Sequence, residues 1–357
     1  MKTVEPPVSP QRPPEYPLRR RLLGLVLIIG GLGWLLFELV SRGSIAGFDL
    51  QLARENSAQT IPVQRFAVSR VEVTGVNDQV TLSATDGEEV ILRGERRGFG
   101  WAANAAAAAA AQITVEVEQR DDTLYVRVRR QPQVMWHFGR DPYASLELAL
   151  PRDVAFNVEL VSGDVTLRQI EASGTITTVS GDVVAEGTSG QLTVNTTGGD
   201  IELRDHRGGL KVVTVGGDTD VSGQFTDLDI QAIDGDVTLQ GSWNTALIDT
   251  VSGRVTVEAT GASRLTISTT SGNVRFTGQL AAERQEIETI AGNVELVLRE
   301  PLDTQMTFTT VSGRINIPSE LSTLSANSRS FTATFGQGRT VLKTNTTSGD
   351  ITLRLYK

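Results

Sequence analysis

From residue 150 onward, apolar residues fall at fixed places around a recurring glycine. Gly163, Gly181, Gly199, Gly217, Gly235 and Gly253 are 18 residues apart, and Gly272, Gly292, Gly313 and Gly349 continue the series at steps of 19, 20, 21 and 36. Two places after each glycine stands Val165, Val183, Ile201, Thr219, Val237, Val255, Val274, Val294, Ile315 or Ile351, and two further on another apolar residue such as Leu167, Leu203 or Phe276. Thr166, Glu202, Asp220, Thr238, Arg275 and Glu295 lie between them. This period-2 alternation is that of a half-buried strand. A second strand precedes each glycine, with Val158, Ile176, Val194, Val212, Ile230, Ile248, Ile267 and Ile287 five places before it and Thr commonly three places before it.

Eighteen residues hold two short strands and two turns but no strand-helix unit. One such repeat encloses no core, whereas copies stacked about 4.8 Å apart pair their strands and bury a continuous aliphatic column. The pattern predicts an all-β β-solenoid over 151–357, with roughly eleven coils and a rod of about 50 Å. That count includes a degenerate coil around Ser328 to Phe335 in the 36-residue step.

The segment 63–150 alternates without the ruler, in strands at Phe66–Val73, Val80–Ala84, Glu89–Gly94, Ile113–Glu118, Thr123–Arg129 and Ser145–Leu150. A solenoid needs its open strand edge covered, so this segment reads as its N-terminal β cap. Within it, the seven alanines Ala105 to Ala111 are too few for an independently stable helix and read as an inserted loop or a single packed helical turn.

Upstream, Leu22 to Val40 is apolar apart from Glu38 and follows Arg19, Arg20 and Arg21. Its length suits a membrane-spanning signal-anchor helix over 22–40, with the N-terminus inside and the solenoid outside. The alternative is a secretory signal cleaved near Ala46, after Ser44-Ile45-Ala46. Both readings export the repeats. Residues 1–21, with six prolines, read as a disordered Pro-rich cytoplasmic tail, and 41–62 as a linker.

The chain has no cysteine and a formal charge of −9. The first 40 residues hold five basic and three acidic residues, so the exported part carries a net −11. A nucleic-acid partner, which calls for a basic stripe, is excluded on that ground. No catalytic residues, cofactor or metal site are expected. His137 and His206 are the only histidines and are far apart in sequence, which leaves a serine-histidine triad or a histidine metal site little to work with.

Asp164, Asp182, Asp200, Asp218 and Asp236 follow successive glycines and would stack in a column, where neighbouring carboxylates repel. Either each bonds to nearby backbone in its turn or cations sit along the column. The continuation as Arg254, Asn273, Asn293 and Arg314 favours the backbone explanation, since Arg ligates no metal. Thr-x-Thr pairs at Thr175/Thr177 and Thr307/Thr309 have the form of an ice-binding array, but Lys211/Val213, Asp229/Gln231 and Leu247/Asp249 interrupt it. The threonines then reflect strand propensity.

Leu150-Pro151-Arg152-Asp153-Val154, followed by Val161-Ser162-Gly163-Asp164-Val165 and its recurrences, resembles the bacterial candidate-adhesin family of β-strand repeats, a domain of unknown function. The resemblance covers roughly residues 66 to 357. It implies a β-solenoid in the cell envelope and a non-catalytic binding, adhesion or scaffold role toward a glycan or protein, and it supplies no catalytic residues. The apolar segment, with Leu23-Gly24-Leu25 and Ile29-Gly30-Gly31, is similar to those of bacterial envelope-stress proteins, which implies the alternative of a sensor signalling through the tail. A carbohydrate-active β-helix enzyme is a third class, for which Glu202, Asp220 and Arg204 form the one nearby charged set.

Overall fold

The computed structural model describes residues 55–100, 103–131, 141–280, 283–318, 321 and 328–356. The tail 1–21, the apolar segment 22–40 and His137 lie outside the described residues. Among the described residues no helix is long and apolar enough to cross a membrane.

The repeats form a β-solenoid. The strand before each glycine pairs in parallel with its counterpart one repeat on, as Ile176 does with Val158 and Val194, and the strand after it does likewise, as Val183 does with Val165 and Ile201. Two parallel sheets, here called leading and trailing, therefore face each other across one core. Each coil is named by its glycine. Val158, Ile176, Val194, Val212, Ile230, Ile248, Ile267 and Ile287 from the leading sheet meet Val165, Val183, Ile201, Val237, Val255, Val274 and Val294 from the trailing one, all at most 1% exposed. Burial of each such side chain stabilises by about 1.5–3 kcal/mol.

The glycines are required by close approach. A Cβ on Gly181 would stand 2.1 Å from the Gly163 carbonyl oxygen, and one on Gly235 2.2 Å from that of Gly217. No side chain fits between turns packed this tightly. The threonines three places before the glycines point inward. Thr178, Thr196, Thr214, Thr310 and Thr346 are buried, and the Thr214 hydroxyl donates to the Gly216 carbonyl at 2.9 Å and that of Thr310 to Gly349 at 3.0 Å. These hydroxyls and those of Thr196 and Thr346 satisfy turn carbonyls that face the core, while the buried Thr178 hydroxyl has no partner among the described residues.

Coil order departs from chain order at both ends. The Gly349 coil does not follow the Gly313 coil but sits between it and the Gly292 coil: Ile287 pairs with Thr344, which pairs in turn with Phe308. The glycine column agrees, since a Cβ on Gly349 would meet Gly292 O and one on Gly313 would meet Gly349 O, each at 1.9 Å. The chain overshoots by one coil and returns to fill the gap. The degenerate coil expected near Ser328 to Phe335 is instead Ser330–Thr334, an antiparallel strand on Thr304–Thr310. It covers the end of the leading sheet and buries Phe331 against Phe308, with ring centroids 5.4 Å apart.

The N-terminal segment is also partly solenoid. Arg70–Gly75 pairs in parallel with Ala155–Leu160, and Gln79–Ala84 with Val165–Arg168, so Asp78 occupies a glycine slot. Thr123–Arg130 and Tyr143–Leu150 form a further coil outside that one. Antiparallel pairing then closes the end: Ile113–Arg120 on Thr123–Arg130, Val90–Gly100 on Tyr143–Leu150, and Glu55–Phe66 on Val90–Gly100. The linker expected over 41–62 therefore gives way to strand from Glu55, because the Val90–Gly100 edge needs a partner.

The polyalanine run is a helix, Ala103–Ala111, and not an inserted loop. It lies on Val90–Gly100, where a Cβ on Gly98 would strike Ala106 O at 2.1 Å. Glycine on the strand and alanine on the helix let two backbones approach, and Ala106 and Ala110 are fully buried there. Tertiary packing supplies what the run lacks in length.

Candidate binding surfaces

The turn ridge is held by a ladder of side-chain to backbone bonds that crosses from coil to coil. Asp164 Oδ1 accepts the Asp182 N–H at 3.2 Å, Asp182 Oδ1 that of Asp200 at 2.9 Å, Asp200 Oδ1 that of Asp218 at 2.9 Å, and Asp218 Oδ1 that of Asp236 at 2.8 Å. Asp236 Oδ1 accepts the Arg254 N–H at 2.7 Å. The ladder resumes as Asn273 to Asn293, Asn293 to Asp350 and Asp350 to Arg314, at 2.8 to 2.9 Å, which follows the spatial and not the sequence order of coils. Backbone bonding is thus present, but to the next coil and not within each Asp's own turn. The amide of the residue beyond each Asp returns a bond, as Val183 N–H does to the Asp200 carbonyl at 2.9 Å. Among the described residues no group of three or more His, Asp and Glu is placed to hold a metal ion.

Beside this ladder, two places before the glycines, runs an outward rib of β-branched residues. It includes Val161, Val179, Val215 and Ile233, half-buried, and Ile290 and Val311, exposed by 47% and 62%. Nothing in the core requires them to be apolar.

The set nominated for glycoside chemistry does not make a cleft. Glu202 and Asp220 are opposite one another on adjacent coils of the trailing sheet, and Arg204 pairs with Glu202. All three stand on an open strand face, where nothing excludes water or grips a sugar from two sides. His206 is the reverse case, fully buried. Its Nε2–H donates to the Gly209 carbonyl at 3.3 Å, so Nδ1 accepts the Thr188 hydroxyl at 2.9 Å. Its ring stacks on Phe225, centroids 5.8 Å apart. Burial holds its pKa below the ordinary 6.5, against the opposing bond to Gly209. It is a neutral core residue.

The buried charge that sequence reasoning missed is Asp78. Its carboxylate accepts the Val76 and Ala144 N–H groups at 3.1 and 2.8 Å and the Arg130 guanidinium at 2.6 Å. It ties the turn of its own coil to the outermost one. The spacing Val73, Gly75, Asp78, Val80, Leu82 matches the repeat positions and was the available signal.

The outward rows of both sheets are mostly laced by ion pairs. Lys211 meets Asp229 at 3.4 Å, Arg275 meets Glu295 at 3.0 Å, and Lys343 reaches Glu286 at 2.7 Å and Glu288 at 3.3 Å. Burial would raise the Glu286 carboxyl, but Lys343 and Arg284 outweigh it and leave its pKa lowered. One stretch of the leading sheet differs. Across the Asp78, Gly163, Gly181 and Gly199 coils, a trough of about 400 Å³ is lined by Arg70, Glu72, Ala155, Asn157, Ser173, Thr175, Gln191 and Thr193, with Phe156 and Gly174 at its base.

The Toastrack DUF4097 family model matches residues 106–354. No curated protein matches the chain. Among solved structures, a candidate adhesin from Parabacteroides merdae ATCC 43184 is 10% identical, with 87% of this chain and 99% of that one covered and a TM-score of 0.39. A candidate adhesin (BF0245) from Bacteroides fragilis NCTC 9343 is 13% identical, with 86% and 100% covered and a TM-score of 0.31. A candidate lipid binding protein from Parabacteroides distasonis ATCC 8503 is 10% identical, with 86% and 99% covered and a TM-score of 0.36.

Proposed function

We propose, starting from a chain that belongs to the Toastrack DUF4097 family, that it is a membrane-anchored, extracytoplasmic β-solenoid acting as a non-catalytic binding, adhesion or scaffold module of a bacterial envelope. One observation carries this reading: the inward positions repeat from coil to coil while the outward ones do not. A frame that needs only its core columns leaves two long sheet faces and a turn ridge free for contact. Anchoring rests on Arg19 to Arg21 before the apolar segment 22–40, and export on the same feature. The test is to place the full chain in lipid nanodiscs on glycan and protein arrays. Reproducible binding without turnover supports the reading; a chain that binds nothing, or that cleaves a polysaccharide, refutes it.

A second reading, an envelope-stress sensor signalling inward, is favoured by the Pro-rich tail 1–21 on the other side of that segment. Deletion of residues 1–21 abolishes signalling in a sensor and leaves an adhesin's binding intact.

A further inference from the structure

We infer that the trough on the leading sheet binds a linear, uncharged oligosaccharide of extended pyranose units lying along the rod axis, one sugar per coil. The inference rests on the binding-module reading above and names its ligand class. The trough exists because Ala155 and Ser173 are short, while Arg70 and Gln191 stand tall in the same row at either end. Beside that row runs a second one, Glu72, Asn157, Thr175 and Thr193, in register across successive coils. Coils repeat at about 4.8 Å, which is close to the advance of one β-linked pyranose, so each successive sugar meets a new polar side chain.

The lining chemistry selects the ligand. Carboxylate, guanidinium and amide groups are planar and bind pairs of neighbouring hydroxyls, and hydroxyl side chains both donate and accept. Arg70 and Glu72 cancel in charge, which disfavours a polyanion. The exposed lining holds no aromatic or aliphatic anchor of the kind a protein interface buries at its centre, since Phe156 is only 4% exposed. The volume falls within the range of small-molecule sites, about 300–1,000 Å³.

These polar groups are also unspent. Among the described residues, the side chains of Arg70, Glu72, Thr175, Gln191 and Thr193 make no ion pair or hydrogen bond, whereas the charged rows farther along the sheet are paired, as in Lys211 with Asp229. Polar groups without internal partners, converging on one broad trough, are what a shallow glycan site requires.

The experiment titrates the full chain in nanodiscs with β-1,4-linked glucose and N-acetylglucosamine oligomers of one to six units, followed by ligand-observed NMR. Affinity should rise with each unit up to four and then level off. Glu72→Ala and Gln191→Ala should each weaken binding about five-fold, the change expected from losing one hydrogen bond of about 1 kcal/mol. Ser173→Trp, which fills the trough from an exposed position, should abolish binding with an unchanged unfolding midpoint, and Ala155→Trp repeats that test at a second position. Lys211→Ala, on the next coil, should change nothing. Oligomers that bind without length dependence, or equally well to both filled variants, overturn the inference. If the arrays reveal a ligand but none of these oligomers binds, the trough proposal falls and the binding-module reading stands; if the arrays reveal no ligand, both fall.

Discussion

Replacing Asp200 by asparagine and by alanine separates the two effects of its carboxylate. Asp200 Oδ1 accepts the Asp218 N–H at 2.9 Å. Asparagine keeps that acceptor and alanine removes it, so the alanine variant should lie about 1 kcal/mol below the asparagine variant. Asp200 also stands between Asp182 and Asp218, each about one coil or 4.8 Å away. Two unit charges at that separation in water repel by about 0.9 kcal/mol, so its two neighbours cost Asp200 up to about 2 kcal/mol at low salt. At 1 M salt the screening length falls to about 3 Å and most of this repulsion vanishes. Urea unfolding at low and at high salt reads both terms. At low salt Asp200→Asn should be more stable than wild type by about 1–2 kcal/mol and Asp200→Ala close to wild type. At high salt Asp200→Asn should match wild type and Asp200→Ala should fall about 1 kcal/mol below both. The links from Asn273 to Asn293 and from Asn293 to Asp350 already make this bond without a charged acceptor. An asparagine variant that drops with the alanine variant at both salts would show that the charge itself is needed, as a cation column demands, and the reasoning would be wrong.

At Gly217, with φ of +100° and a would-be Cβ 2.3 Å from Gly199 O, alanine should cost about 3 kcal/mol or more, combining left-handed strain with a backbone collision. Gly87→Ala, with nothing but Thr85 Oγ1 within reach at 3.6 Å, should be neutral within about 0.5 kcal/mol in the same urea unfolding. His206 gives a pH signature. Its unfolded form titrates near 6.5 and its folded form lower, so stability is complete above pH 6.5 and declines as acid protonates only the unfolded chain. His206→Gln should remove that part of the slope, and an unchanged slope would refute the assignment. Ending the chain after Arg339 deletes the coil between the Gly292 and Gly313 coils. Hydrogen exchange should then show protection lost across 304–316 as well, where a stack in chain order would lose only its last coil.

The middle of the solenoid is legible because one constraint recurs with nothing else laid over it. Steps of 18 residues keep Val183, Ile201 and Val237 inward, and the 19-residue step puts its surplus away from the core strands: the extra residue before Gly272 is Thr260, bulged opposite the Gly241–Ser242 step of the neighbouring coil, which leaves Ile248 opposite Ile267. The ends are not legible, for a reason that is physical as well as statistical. Local pattern states which residues face inward but not which coil lies next to which. The Gly349 coil carries a full Thr-Thr-Ser-Gly-Asp-Ile turn and would fit any vacancy in the stack. Its place is decided by Ser330–Thr334, which turns antiparallel on Thr304–Thr310 and closes the far edge. At the other end Asp78 hid a coil, because a buried carboxylate in a glycine slot is tolerable only where Arg130 and the Ala144 amide reach it, and both come from 50 to 70 residues downstream.

The binding trough was less legible still, since its residues are defined by absence. Ala155 and Ser173 are short between Arg70 and Gln191, and Glu72, Thr175 and Thr193 lack the partners that comparable residues have elsewhere. In a sequence these look like ordinary outward positions of a strand, and only the register places Arg70 beside Ala155 and Thr175 beside Thr193. The out-of-order N-terminal coil is what assembles the set. If Arg70–Ala84 were stacked in chain order, outside the Thr123–Leu150 coil, Arg70 and Glu72 would leave the trough and Thr123 and Tyr125, their partners in the present pairing, would take their place beside Ala155 and Asn157. A ring and a hydroxyl would then replace the guanidinium and the carboxylate. The insertion of one coil between two others thus settles the chemistry of the surface as well as the closure of the rod.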